Sequence, residues 1–374
     1  MRNQKTMPWS NSPATGRAAV AVIAMLGVVA SARDIHAQSV DRVQLIRGAA
    51  VGSGTIAGEV VKVSPNAIEL QGQQGQTVSI PIDQVRDVIL ADAPEPLRNA
   101  QAMILRDDAA GALAELGKLT PEDMAGVPRL VATQLDFARA AAVGKLAAAT
   151  GEDLPAAAAG LQEFLGKHPQ SHLVYAASEI LASVRARQGD FAAAAQSIAN
   201  LAQGPAAYRI RAAAAQGNLL FQQGKWPEAR GQYETAMKID LAQGDRAGHQ
   251  ERVGAEFGRA RCLAREGRGE DAVKAVTQSL AAIDPADRDL LARGYAALGN
   301  AFRASPNASQ DAILAFLRVD LIYNSLPDAH AEALYNLTEL WTQERNPERS
   351  RICQQALETT YPDSGWTRRL SSAE

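Results

Sequence analysis

Between residues 41 and 90 apolar positions alternate with polar ones, and beyond residue 96 they recur every three to four residues. A period of two puts side chains on one face of a strand, whereas a period near 3.6 puts them on one face of a helix. Val43 and Leu45 alternate with polar neighbours, and Thr55 to Val63 is rich in β-branched residues. Ser64-Pro65-Asn66 is a turn signal, and Ile68 and Leu70 share a strand face. Gly72-Gln73-Gln74-Gly75 reads as a hairpin loop before a returning strand at Thr77 to Ile82, and Val88 to Leu90 as a last short strand. Residues 38–95 thus predict about five short strands, and residues 96–374 predict helices.

The clearest helical unit is 210–240, marked by Gly217, Leu220, Gly224, Trp226, Ala229, Tyr233 and Ala236. Gly217, midway along the first helix, lets a second helix cross closely. Gly224 ends the first helix with a left-handed residue that side chains other than glycine adopt poorly. Tyr233, four residues after Ala229, fills the seam between the helices. Similar units occupy 175–205 (Ala182, Gly189, Ala194), 253–284 (Ala260, Gly267, Ala272) and 292–320 (Gly299, Ala312, Phe316). Looser units cover 96–120, 128–168 and 331–359; in the last, Thr338 and Ser350 replace the usual small apolar pair, so a departure in packing is expected. The glycines at 151, 189, 224 and 267 are spaced by 38, 35 and 43 residues, the longest interval reflecting the polar stretch 242–251.

Over roughly 96–366 these landmarks resemble the tetratricopeptide repeat superfamily. The expected architecture is mainly α: a tetratricopeptide-like α-solenoid of about seven helix pairs preceded by a small five-stranded β-barrel-like domain. Within the latter, the Gly48-to-Gly58 bend, the 67–82 hairpin and Ile80-Pro81-Ile82 resemble an SH3-like or Sm-like barrel. The unit endings around Pro169, Pro327 and Pro362 resemble repeats of bacterial envelope scaffold proteins.

The repeat resemblance implies a concave groove lined by the first helix of each pair. Its contact positions map to Arg211, Asn218, Phe221 and Gln222, then to Phe257, Arg261 and Arg265, then to Arg293, Asn300 and Arg303. Asn218 and Asn300 hold the middle position, as in family members that clamp a peptide carboxylate. Arginine binds carboxylates bidentately, so the implied partner is a protein or peptide, an acidic one in particular. The alternative is that these arginines only solubilise helix faces or pair with neighbouring acids.

The first 37 residues change the picture of location. Residues 1–17 are polar and basic, Ala18 to Ala30 is continuously apolar, and Ala30-Ser31-Ala32 and Ile35-His36-Ala37 offer small-residue cleavage sites. This is the order of a secretory signal, with cleavage after Ala37 preferred to Ala32. A buried helix or short anchor is the alternative, although thirteen apolar residues are few for a bilayer span. A periplasmic or secreted protein is therefore expected, with no integral span once the signal is removed.

Composition adds exclusions. The chain has 374 residues, 47% hydrophobic but only 5% aromatic, with a formal charge of −3. The signal segment carries a net +3, so the remainder carries −6, which gives no electrostatic reason to expect nucleic acid. Cys262 and Cys353 fall in non-adjacent units and read as buried small apolar residues. His168 and His172 are four apart, but Pro169 between them predicts a turn and no metal site. No nucleophile elbow, phosphate loop or zinc-protease motif is complete, so neither an enzyme nor a cofactor is expected. The function expected is a protein-interaction scaffold of the cell envelope. A permanent structural subunit of an envelope complex is the alternative, and an enzyme-accessory protein the third.

Overall fold

The computed structural model describes residues 40–371 apart from Gly48, Ala50, Ser53, Gln73 and Asp363. The signal segment expected at 1–37 lies outside the described residues. The described residues fall in one compact unit, Ser39–Glu374.

Five strands come first: β1 (Asp41–Leu45), β2 (Thr55–Val63), β3 (Ala67–Gln71), β4 (Thr77–Pro81) and β5 (Val85–Ile89). They form one antiparallel sheet in the order β4-β3-β2-β1-β5. The sheet has β4 and β5 at its edges, and among the described residues no ladder joins those edges. Closure into an SH3-like or Sm-like barrel is therefore not formed by strand pairing. The last strand begins at Val85, three residues before the position read from the apolar run, because a short 3-10 turn at Ile82–Gln84 replaces an open loop. Two register shifts, at Gln44/Leu45 and Val60/Lys62, bend the sheet. Asp41 staples one of them: its carboxylate accepts from Val60 N at 2.9 Å and from Ala91 N at 2.8 Å.

The helices follow as seven antiparallel pairs and a terminal helix, as the periodicity implied. They are α1 (Glu95–Ile104) with α2 (Ala109–Leu116), α3 (Arg129–Thr150) with α4 (Leu154–Lys167), and α5 (Val174–Arg187) with α6 (Phe191–Ser197). Next are α7 (Ala206–Gln222) with α8 (Trp226–Met237), α9 (Arg246–Arg265) with α10 (Gly269–Ala281), and α11 (Arg288–Arg303) with α12 (Ser309–Ile322). The series ends with α13 (Pro327–Gln343), α14 (Pro347–Thr360) and α15 (Gly365–Ser371). First helices pack on their own partners, and α1, α3, α7, α9 and α11 also pack on the first helix of the next pair. No helix among the described residues is long and apolar enough to cross a membrane.

Local chemistry explains the breaks. Gly151, Gly189, Gly224 and Gly267 all have φ between 76° and 84° at the ends of first helices. Asp108, Asp190, Asp245 and Asp287 cap the helices that follow them, each side chain accepting a backbone N–H of the first turn. The cap at Asp245 starts α9 seven residues before the unit start read from the landmarks, so much of the polar 242–251 stretch is helix. A Cβ on Gly217 would lie 2.9 Å from the Tyr233 ring and one on Gly258 2.3 Å from it, so α7, α8 and α9 meet around that side chain. The last pair departs as expected. Thr338 Oγ1 donates to Leu334 O at 2.9 Å and Ser350 Oγ to Thr338 O at 3.0 Å, so hydrogen bonds take the place of apolar contact.

The sheet shares its core with the first helices. Val43, Ile68, Leu70 and Ile80 form one apolar cluster with Leu97, Leu135, Leu161 and Leu181. Buried Gln134 on α3 donates to Val88 O at 2.8 Å. The turns of the sheet then reach along the N-terminal ends of the first helices. Tyr175 OH at the start of α5 donates to Asn66 Oδ1 at 2.8 Å, and Arg47 Nη1 donates to Ala286 O, just before α11, at 2.6 Å.

Candidate functional site

The first helices α5, α7, α9, α11 and α13 stand side by side, and polar side chains connect them in rungs. Arg211 on α7 bridges Glu179 on α5 and Glu251 on α9, the latter at 3.9 Å, and lies over the Tyr208 ring at 4.9 Å. Asn300 on α11 donates to Glu332 Oε1 on α13 at 2.8 Å. Arg303 on α11 donates to Asn336 Oδ1 and pairs with Glu339 Oε2 at 2.8 Å, both on α13. The partners in these rungs are 32 to 40 apart in sequence, about one repeat, so the rungs tie the first helices of neighbouring pairs together.

Two of the expected groove arginines, Arg211 and Arg303, are thus already neutralised by acids of neighbouring helices. Arg261, Arg265 and Arg293 are exposed and take part in no ion pair among the described residues. Arg261 lies over the Phe221 ring at 4.6 Å, which joins two expected contact residues on α7 and α9 into one platform. Gln222 is exposed beside it. Asn218 is exposed, but its Oδ1 accepts from Tyr233 OH at 2.7 Å. Phe257, expected among the groove contacts, is instead 4% exposed in the core between α9 and α11, where its ring would meet a Cβ on Gly294 at 2.9 Å. It holds the groove wall and cannot line it.

Acids complete the surface, and the repeat pattern assigns them no contact position. Glu332 and Asp328 on α13 are water-accessible yet hemmed in by surrounding helices, and this desolvation pushes both carboxyls above the ordinary range. The charge of Arg261 and the Asn300 hydrogen bond oppose the rise at Glu332, and the charges of Arg293 and Lys145 oppose it at Asp328. Glu179 is raised for the same reason. One signal could have found Glu332. It stands six residues before Thr338, as Arg293 stands before Gly299 and Arg211 before Gly217, so all three share one groove row.

Other polar clusters are structural. Thr133, His168 and Asp136 have the connectivity of a nucleophile, base and acid, with His168 Nε2 at 2.8 Å from Asp136. Thr133 is 7% exposed, is 3.4 Å from the imidazole and donates its proton to Arg129 O at 3.0 Å, so no substrate reaches it. His172 is buried in the turn before α5, as Pro169 implied, and burial pulls its imidazole down to about 4. Both cysteines are free and buried, and burial pushes each thiol up to about 11, which makes them inert apolar groups. Among the described residues no group of three or more His, Cys, Asp or Glu could hold a metal ion.

Several solved helical-repeat structures are similar to this chain. A Rap protein complexed with competence and sporulation factor is 13% identical, with 72% of this chain and 76% of that one covered and a TM-score of 0.48. A tetratricopeptide repeat protein from Parabacteroides merdae is 14% identical, with 71% and 91% covered and a TM-score of 0.44. No curated protein matches the chain. A family model described as a tetratricopeptide repeat-like domain matches residues 132–252, so the stretch from α3 into α9 is similar to that family in sequence as well as in its paired helices.

Proposed function

We propose that this chain is an exported, non-enzymatic scaffold that holds a segment of another protein in its concave groove, in the periplasm or outside the cell. The observation that carries the reading is the set Arg261, Arg265 and Arg293: three exposed guanidinium groups on α9 and α11, left without ion pairs where neighbouring arginines are paired. Mechanism here is presentation. The rungs between first helices hold the groove rigid, so a ligand binds without ordering the protein, and no covalent step is involved. The tetratricopeptide-like match over 132–252 supports a protein-binding role, and the signal-like order of residues 1–37 supports export.

A permanent structural subunit is the second reading. Leu314 and Leu321, seven apart on α12, are 60% and 72% exposed, an apolar face that a fixed neighbour would cover.

The test is affinity capture with the full chain, tagged at its C-terminus, from fractionated source cells. The comparison is a triple variant with Arg261→Glu, Arg265→Glu and Arg293→Glu. A partner recovered from the envelope fraction by the parent and lost by the variant, at equal helicity, is the expected result. A partner retained by the variant would overturn the groove reading, and a tagged chain that keeps residues 1–37 and stays in the cytoplasm would overturn export.

A further inference from the structure

We infer that the groove site is bipolar: it takes an extended peptide that carries an acidic and a basic side chain close together, the acid on Arg261 and Arg293 and the base on Asp328 and Glu332. The inference deepens the groove-binding reading and rests on it.

The protein satisfies several of its charges by itself. Glu179 and Glu251 neutralise Arg211, Glu339 neutralises Arg303, and Asp107 neutralises Lys145. Arg261 on α9 and Arg293 on α11 remain without an ion pair, whereas the unpaired acids of those helices, Glu256 and Asp289, accept from the Ser279 and Ser325 hydroxyls. What remains on α13 is anionic: Glu332 accepts only the neutral Asn300 amide, and Asp328 has no hydrogen bond or ion pair among the described residues. The two sets are neighbours, since α11 packs against both α9 and α13. Arg293 and Glu332 occupy the same row on adjacent helices, whose axes stand about 8–10 Å apart. The fields of Arg261 and Arg293 reach Glu332 and Asp328 respectively, yet no salt bridge joins them. Opposite charges are thus held near one another without a salt bridge.

Such an arrangement costs stability. A carboxylate hemmed in by protein, with cations near it but none in contact, is worse off than in water. Residues that cost stability without an internal return concentrate at binding sites. A ligand of one sign would satisfy one set and be repelled by the other; a ligand bearing both signs satisfies both. An extended chain advances about 3.3 Å per residue, so an acid and a base two or three positions apart match the helix spacing.

The test is selection of a displayed random-peptide library on the immobilised full chain, in parallel with an Arg261→Glu/Arg293→Glu variant and an Asp328→Asn/Glu332→Gln variant. Peptides with an acid and a base two or three residues apart are expected to enrich on the parent. A synthetic peptide from that pool should lose about tenfold or more in affinity when its base is replaced by a neutral isostere. The carboxamide variant should bind the parent peptide and its neutralised form equally, and should melt no lower than the parent. Enrichment of uniformly acidic peptides that the arginine variant fails to enrich would overturn the bipolar site and leave groove binding standing. Equal enrichment on parent and arginine variant, or none on either, would overturn both.

Discussion

The two halves of the solenoid are held together differently. The sheet and the first three helix pairs are built around one apolar cluster that runs from Val43 to Leu219. Beyond it the core divides into three smaller clusters, the smallest of them Ile210, Ala229, Tyr233, Ala236, Ala255 and Cys262 at the α7–α9 seam. In that second half the neighbouring first helices are tied by polar rungs such as Asn300–Glu332 and Arg303–Asn336. In a stacked array, stability is close to a sum of units and interfaces, so a thin seam is where cooperativity breaks first. The comparison teaches a division of labour. The half with the deep shared core can be inert, and the half stitched by polar contacts can leave some of its charges unspent for a ligand.

The largest expected effect breaks the seam. Tyr233, 2% exposed, is the side chain on which α7, α8 and α9 converge. Tyr233→Ala should cost about 3–5 kcal/mol. Hydrogen exchange followed by mass spectrometry should show protection lost first in α8 and α9, with the sheet unchanged. Uniform loss across the chain would mean that the halves are one cooperative unit.

A somewhat smaller effect sits in the first half. His172 is 5% exposed and neutral when folded, its pKa drawn from 6.5 to about 4. Between those values the unfolded chain takes up a proton that the folded chain refuses, so stability falls as pH drops through the window and is fully present above it. The loss approaches about 3 kcal/mol at the acid end. Urea denaturation from pH 7 to pH 4 should therefore flatten in His172→Leu relative to the parent; parallel profiles would refute this assignment.

The smallest sharpens the comparison without breaking it. Asp245 caps α9 by accepting from Gly248 N at 2.8 Å. Asp245→Ala should cost about 1 kcal/mol, felt in the second half only. Thermal unfolding with local exchange would check it, and an effect spread into the sheet would count against independent halves.

Much of the fold could be read from single residues. The period change near Pro94, the glycines at 151, 189, 224 and 267, and the small residue at Gly217 located the pairs, because each acts through its own backbone or nearest helix. The site was less legible. The repeat spacing points Arg211 and Arg303 at a ligand, but Glu179 and Glu339 pair with them internally. The spacing of Phe257 points it at the groove, yet it lies in the core. Glu332 carries no local mark and Asp328 only that of the unit ending at Pro327, since their surroundings depend on which cations the neighbouring helices place nearby.

The sequence by itself determined the order of elements, the number of helix pairs, the caps and the small-residue crossings. Those depend on interactions within a turn or between consecutive helices, which reach only a few residues. The tertiary structure decided which charges are paired, which are desolvated and which face open groove. It also decided that the sheet's turns reach as far as Ala286 through Arg47. These depend on contacts between residues 32 or more positions apart, which the pattern within any single unit does not record.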